Sequence, residues 1–184
     1  MPNPFEAFWN TIKLSMDNLD EPKNPLHTGE VMNCWTYYTA LKEPISYEEV
    51  GLNTTNDHEV REMLNDAFNL CTAQAKILEN FMIKEGIPLP EVSSQKPKSE
   101  GNAVPLGAKL TDDQLANGIS FKIATGIVEC AVGQSQGIRS DLTIIWIRFQ
   151  SEFLTFGSTL KTLMIKRGWL KVPPYYYPPG MSNQ

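Results

Sequence analysis

The chain has 184 residues, which is the length of one domain and enough to bury a hydrophobic core. Its apolar share of 41% and charged share of 20% are those of a globular protein and exclude an intrinsically disordered chain. The net charge of −5 and the scattered basic residues disfavour a nucleic-acid partner.

Membrane insertion and secretion are not expected. The longest apolar stretches, such as residues 142–147, are far shorter than the roughly 20 residues that cross a bilayer. Residues 1–6 do not resemble a secretory signal, so we expect a cytoplasmic protein. Three widely spaced cysteines, Cys34, Cys71 and Cys130, are then expected to be reduced and buried in helices.

Residues 4–19 are predicted to form a short leading helix. Asn3, Pro4 and Glu6 supply a capping side chain, a proline in the first turn and a carboxylate three residues after the cap. The apolar residues of this helix recur at helical spacing, so one stripe can pack on a larger bundle. The stripe consists of Phe5, Phe8, Trp9, Ile12 and Met16.

Residues 28–87 are predicted to form the first helical pair, with caps at Thr28 and Asp57. Pro44 lacks a backbone donor, so the first helix of this pair should kink or break there. Residues 88–110 are rich in proline, serine, lysine and glycine and are predicted to form a long loop. Such a loop can supply the one long crossover that is typical of ferritin-like connectivity.

Residues 111–168 are predicted to form the second helical pair. Thr111 and Gln114 make a capping box at its start, and Ser140 or Asp141 can cap the last helix. The sequence therefore predicts an all-α, ferritin-like up-and-down four-helix bundle with a leading helix and a crossover loop.

A row of small residues marks the first helix of this second pair. Gly126, Gly133 and Gly137 share one face with Cys130. A glycine inside a helix costs about 1 kcal/mol relative to alanine. We therefore expect this face to allow the close approach of a neighbouring helix or of a second subunit.

Residues 169–184 are predicted to form an extended tail, in which two proline pairs flank Tyr175, Tyr176 and Tyr177. These amphipathic rings could bind a partner, or the tail could pack along its own bundle over apolar surface left by the last helix. If two subunits exchanged tails, each tail would both bind a partner and pack along a bundle. A homodimer is expected.

A ferritin-like bundle raises the question of a dinuclear metal site, which needs a Glu-x-x-His motif on each of two helices. The sequence has no such motif, and His27 and His58 lie at predicted helix entrances. The weak candidates for inward carboxylates are Glu30, Glu129 and Glu152. We expect Glu129 to join a buried polar network, with a metal or ligand role as the alternative. Its candidate partners are Gln136, Gln150 and Arg148.

No catalytic residue and no cofactor is predicted. Neither serine nor cysteine lies in a recognisable nucleophile motif, and only two histidines are available as bases. The helical glycines cannot bind phosphate, because the amides around them are already bonded within the helix.

Several segments are similar to a known family. They are KNPLHTGEVMNCWTYYT at 23–39, GLNTT at 51–55 and TLKTLMIKRGWLKVPPYYYPPG at 159–180, together with IKEGIPLP, KLTDDQLAN and QSQGIRSD. Over nearly its whole length the chain resembles domain of unknown function 3231, a family of ferritin-like bundles from Bacillus-like, spore-forming Firmicutes. Some members are labelled "putative spore coat protein". The resemblance implies spore association and defines no catalytic residues.

The sequence thus favours a non-enzymatic structural or interaction protein, with other spore or coat proteins as partners. The alternative is a ferritin-like bundle that binds a metal ion or small ligand through inward carboxylates. Ala73 stands near the position where some family members have a histidine, which disfavours a metal.

Overall fold

The computed structural model describes residues 3–17 and 23–179, and within them the chain is all-helical without strands. The helices are α1 (Pro4–Asp17), α2 (Thr28–Lys42), α3 (Ile45–Thr54), α4 (His58–Lys84), α5 (Asp112–Gln136) and α6 (Ser140–Arg167). Short 3-10 turns occupy Gly101–Ala103 and Leu106–Ala108. Residues 18–19 of the predicted leading helix and residues 180–184 of the predicted tail lie outside the described part of the chain.

Contacts between helix ends fix the direction of each long helix. His27 before α2 meets Gln136 of α5, Glu85 after α4 meets Arg139 before α6, and Asp57 before α4 meets Arg167 of α6. Thus α2 and α6 run in one direction, whereas α4 and α5 run in the opposite direction. The segment between α4 and α5 therefore crosses the full length of the molecule, as the loop prediction required.

The crossover segment is held along the outer side of α3 and the end of α2. Side chains there accept hydrogen bonds from its backbone amides, which would otherwise lack partners in an irregular segment. The pairs are Glu43 with Ser93 at 2.9 Å, Glu49 with Lys96 at 2.8 Å and Asn53 with Ser99 at 3.1 Å. The long loop consequently follows a defined path without regular secondary structure over most of its length.

Pro44 breaks the predicted first helix into two. Because the proline has no amide hydrogen, α2 ends at Lys42 and α3 begins at Ile45. The first helical pair of the prediction is therefore three helices, and Pro44 occupies the position just before α3.

The predicted caps were partly right. Asp57 caps α4 by accepting from the amide of Val60 at 3.1 Å, and Thr111 and Gln114 form the predicted capping box of α5. The cap at Thr28 was wrong, since the side chain of His27 accepts from the amide of Gly29 at 3.0 Å.

The predicted cap of α6 was also wrong. Arg139 is the N-cap residue, and its own side chain makes no capping bond. The carboxylate of Glu30, from α2, accepts from the amides of Ile138 and Arg139 at 2.8 and 2.9 Å. The turn that leads into α6 is therefore bound by a side chain of another helix, which local sequence patterns do not reveal.

The leading helix α1 packs against α6. Its predicted apolar stripe is only partly covered, because Ile12 is half-buried whereas Trp9 and Met16 are exposed. The side chains of Phe5 and Phe8 lie outside the described part of the structure.

The glycine face of α5 receives aromatic side chains from α6. A Cβ atom on Gly133 would lie 2.7 Å from Cε2 of Trp146, and one on Gly126 would collide with the ring of Phe153. Gly137 instead ends α5, where its amide bonds to the carbonyl oxygen of Gly133. The close approach expected of this face is therefore made by a neighbouring helix of the same chain.

The helix α5 is more apolar than the length of its unbroken apolar stretches suggested. By length and composition alone, the segment Leu106–Gln136 is able to cross a bilayer. In the fold this helix packs between α2, α4 and α6 and contributes Leu115, Ile119 and Ile123 to the core. Core packing explains only part of its apolar character, because Phe121 and Val128 on its outer side are exposed.

We expect Gly126→Ala to lower the free energy of unfolding by about 1 to 3 kcal/mol, because the added methyl displaces Phe153. Gly157→Ala is the matched control in α6, where the new Cβ would make an ordinary 3.4 Å contact with Ile123. There the gain in helix propensity, up to about 1 kcal/mol, should dominate. Urea unfolding measures both, and equal effects would contradict this account of the glycine face.

Candidate functional site

A chain of hydrogen bonds centred on Gln74 crosses the middle of the bundle. Gln74 is fully buried and accepts from the hydroxyl of Tyr37 at 2.8 Å. Its amide nitrogen donates to the carbonyl oxygen of Phe149 at 3.2 Å and to the carboxylate of Glu152 at 3.0 Å. The thiol of Cys130 donates to the hydroxyl of Tyr37 at 3.3 Å. Both amide hydrogens of Gln74 are thus used, which leaves no donor there for a ligand.

The cysteines are free and buried, as predicted. Burial raises the pKa of Cys34 to about 12, that of Cys71 to about 11 and that of Cys130 to about 12. Because the thiolate is the reactive form, these side chains are poor nucleophiles at neutral pH. They act as small core residues.

A second buried polar contact joins α3 to α5. The ammonium group of Lys122 donates to Oε1 of Glu48 at 2.6 Å, and the Glu48 side chain is fully buried. Oε2 of Glu48 has no hydrogen-bond partner among the described residues. Burial raises the pKa of Glu48, and the charge of Lys122 offsets part of that rise.

Lys122 also belongs to the wall of an apolar pocket of about 310 Å³ between α2, α3, α5 and α6. Aromatic side chains make much of this wall, namely Tyr37, Tyr47, Phe121 and Phe153. The volume is at the small end of the range for ligand pockets. The pocket is therefore the candidate functional site of the described structure.

Glu129 lies at this pocket and departs from its predicted environment. It is half-buried and makes no hydrogen bond or ion pair with a described residue. The three partners proposed for it bind elsewhere, with Gln136 on Asn33, Gln150 on Gln134 and Arg148 on Glu152. The expected buried network around Glu129 was wrong, because the side chain of this residue points to the pocket.

The other two carboxylate candidates are held by protein groups. Glu30 is buried and accepts from three backbone amides, those of His27, Ile138 and Arg139. Burial alone would raise the pKa of Glu30, but these amides outweigh it and hold the pKa below the usual range. Glu152 accepts from Gln74 and from Arg148.

These carboxylates do not converge on one point. Among the described residues no group of three or more histidine, cysteine, aspartate or glutamate side chains is arranged to hold a metal ion. His27 and His58 lie at the starts of α2 and α4, as predicted from the sequence.

Another charged cluster closes one end of the bundle. Arg139 is buried, with its guanidinium 2.9 Å from Oε1 of Glu85 and 2.7 Å from Oδ2 of Asp141. Lys23 binds the same Asp141 carboxylate at 2.7 Å, and these cations hold the pKa of Asp141 well below its usual range despite burial. The cluster joins the end of α4 to the start of α6, which is a structural role.

Two buried polar residues that were not predicted from the sequence, Glu48 and Gln74, nevertheless have a recognisable sequence pattern. Glu48 lies three residues after Ile45 and four before Leu52, on the apolar face of α3. Gln74 lies between Cys71 and Leu78 at the same helical spacing. A polar residue on an apolar helix face predicts a buried polar contact. No local pattern predicts the burial of Arg139, which depends on Glu85 from the end of α4 as well as on the nearby Asp141.

The tail leaves the bundle soon after α6. Trp169 and Leu170 pack against the core, whereas Tyr175 and Tyr176 are 78% and 82% exposed and Tyr177 is 52% exposed. The expectation that the tail packs along its own bundle therefore holds only for its first residues.

Comparisons with known proteins agree with this picture of an all-helical protein. The family model of a protein of unknown function, DUF3231, matches residues 14–181. The chain belongs to the DUF3231 family.

Relatives of this DUF3231 protein include an uncharacterized protein, YvdQ, from Bacillus subtilis. It is 27% identical over 83% of this chain and 89% of its own length. A crystal structure from Bacillus halodurans, described as a "putative spore coat protein", is 28% identical with a TM-score of 0.80. The match covers 84% of this chain and 97% of that one.

We expect Lys122→Met to destabilise the DUF3231 fold by about 3 to 5 kcal/mol at about pH 7, since it leaves Glu48 buried without a cation. A raised pKa means that the folded state binds more protons than the unfolded chain. Stability is then greatest below the usual pKa of glutamate and falls as the pH rises. Unfolding measured between about pH 5 and about pH 7 should show this loss in the variant.

The double variant Glu48→Gln/Lys122→Met is the control for this prediction. It keeps the shape of the contact without an ionisable group, so its stability should depend less on pH over the same range. A Lys122→Met variant as stable at about pH 7 as at about pH 5 would disprove the assigned role of the pair.

Proposed function

We propose that this protein is a non-enzymatic structural or interaction protein, built as a ferritin-like up-and-down four-helix bundle and acting in the cytoplasm during sporulation. The observation that carries the proposal is the distribution of polar and apolar groups. Among the described residues, buried polar side chains bind other side chains or the backbone, apart from one oxygen of Glu48. The surface, by contrast, presents an apolar pocket and an exposed aromatic tail.

The ferritin-like assignment is supported by the helix directions. The helices α4 and α5 run parallel and are joined by one long crossover, whereas α5 and α6 are joined by a short turn. One long connection between two antiparallel pairs is the connectivity of ferritin-like folds.

Spore association is supported by the description of the Bacillus halodurans protein, which shares the fold over most of both chains. A protein of a spore layer needs surfaces that bind neighbours and does not need a reaction centre. We propose a homodimer as the working form, with other spore or coat proteins as further partners.

A second candidate function is the binding of a small ligand, and Glu129 is the observation that favours it. Its unpaired carboxylate lies at an apolar pocket, which suits a ligand with an apolar body and one N–H or O–H donor. The metal-binding form of this alternative has less support, because Glu30 and Glu152 already accept hydrogen bonds from protein groups.

We expect a fluorescent fusion of the full chain, expressed from its own promoter in a spore-forming Bacillus host, to appear during sporulation and concentrate at the spore. The fluorescent protein alone, expressed from the same promoter, is the control and should stay diffuse. Diffuse signal from the fusion would argue against spore association.

Metal analysis of the same protein, purified without an affinity tag, tests the interaction role against the metal-binding form of the alternative. The interaction role predicts no stoichiometric metal. One iron, manganese or zinc ion per chain would contradict it and favour the metal-binding alternative.

A further inference from the structure

The first residues of the tail show where the tail leads. Asn117 of α5 donates to the carbonyl oxygen of Trp169 at 3.2 Å, and Lys171 binds Asp113 at 2.9 Å. As the tail advances from 169 to 171, its contacts on α5 move from 117 back to 113. The tail therefore runs toward the start of α5.

This direction takes the tail away from the pocket of its own chain. The α5 residues of the pocket extend from Gly118 to Glu129, toward the end of α5. The two contacts with the tail, at Asn117 and Asp113, lie nearer its start. An extended segment advances about 3.1 Å per residue, so Tyr175 lies about 12 Å further along the chain than Lys171. To reach its own pocket the tail would have to reverse its course, whereas a second copy can receive it directly.

The chemistry of the tail suits an aromatic pocket. Residues 172–179 carry no charge, and their two proline pairs favour the extended polyproline conformation around three exposed phenol rings. Polyproline segments bind grooves lined by aromatic side chains, because the stiff segment loses little entropy on binding.

The pocket offers the matching surface. Tyr47, Phe121 and Phe153 supply aromatic walls, and the unpaired carboxylate of Glu129 can accept from a phenol hydroxyl. Lys122 is already neutralised by Glu48, so the pocket presents no unpaired cation. An uncharged ring with a hydroxyl donor fits these groups.

The surface beside the pocket is also uncharged. Phe121 and Val128 of α5 are 77% and 60% exposed. The residues exposed along the same side of the helix are Ala124, Thr125 and Ala131. A contiguous uncharged strip next to an aromatic pocket is typical of a surface that another protein covers.

We propose that two copies of this chain form a dimer by exchanging tails, with residues 172–179 of each copy bound in the pocket and along the α5 strip of the other. The proposal rests on the interaction role proposed above and names a second copy as the partner. Each aromatic side chain buries about 150 to 250 Å², so two such tails and the surfaces beneath them reach the roughly 1,600 Å² of a stable interface.

Sedimentation equilibrium of the full chain tests the exchange. The natural protein should form a dimer, and Tyr175→Ser/Tyr176→Ser/Tyr177→Ser should weaken dimerisation at least tenfold, since it removes the rings from an exposed segment. Leu106→Ser is the matched control, because this side chain is 86% exposed on another segment. The corresponding triple phenylalanine variant keeps the rings and should lose only a small part of the affinity.

Thr125→Arg tests the pocket side of the contact. Thr125 is exposed at the pocket, so the longer charged side chain should block a tail without disturbing the core, which circular dichroism and thermal unfolding verify. In an equimolar mixture of the two variants, Thr125→Arg supplies the intact tail and the triple serine variant supplies the intact pocket. The mixture should form a heterodimer although neither variant forms a homodimer of normal affinity.

Four outcomes would overturn tail exchange. They are a monomeric natural protein, a dimer insensitive to the tyrosines, a dimer insensitive to Thr125→Arg, and the absence of heterodimers in the mixture. None of them bears on spore association, which the fluorescent fusion measures independently.

Discussion

The packing of α6 aromatic side chains into the glycine face of α5 is the contact on which the arrangement of the bundle depends. Phe153 and Trp146 lie against helical glycines, which lets α5 and α6 approach closely. Phe149, between them on α6, stacks on Tyr37 of α2 with ring centres 5.7 Å apart. Tyr37 in turn bonds to Gln74 of α4. One close helix contact thus fixes the relative positions of all four long helices.

The buried polar groups explain why this interior adopts one well-determined packing arrangement. A buried polar atom without a partner costs about 1 to 3 kcal/mol, so a network in which the atoms are paired selects one packing arrangement. Gln74 fulfils this role at the middle of the bundle, and Glu30 and Arg139 fulfil it at one end. The polar atoms of these side chains have partners within the fold. The exception is Glu48, whose second oxygen remains unpaired.

Most correct predictions depend on neighbouring residues, although the local cap at Thr28 was wrong, and the main omissions depend on distant residues. The cap at Asp57, the break at Pro44 and the crossover loop follow from residues within a few positions of each other, and they were found. The carboxylate that binds the turn before α6 comes from Glu30, more than a hundred residues earlier, and was missed. For the same reason the sequence identified the glycines of α5 but not which aromatic rings pack against them. The apolar pocket could not be predicted, because four helices form it.

The tyrosines of the core and those of the tail lie in opposite environments. Tyr37, Trp146 and Phe149 are almost completely buried, whereas three consecutive tyrosines of the tail remain in water. Prolines on both sides restrict the tail before it binds, so less conformational entropy is lost when a surface covers it. The rigid bundle fixes the start of the tail through Asp113 and Asn117 and holds the pocket open on the same helix. In the proposed dimer, the interior therefore serves to present the tail and the pocket at a constant separation.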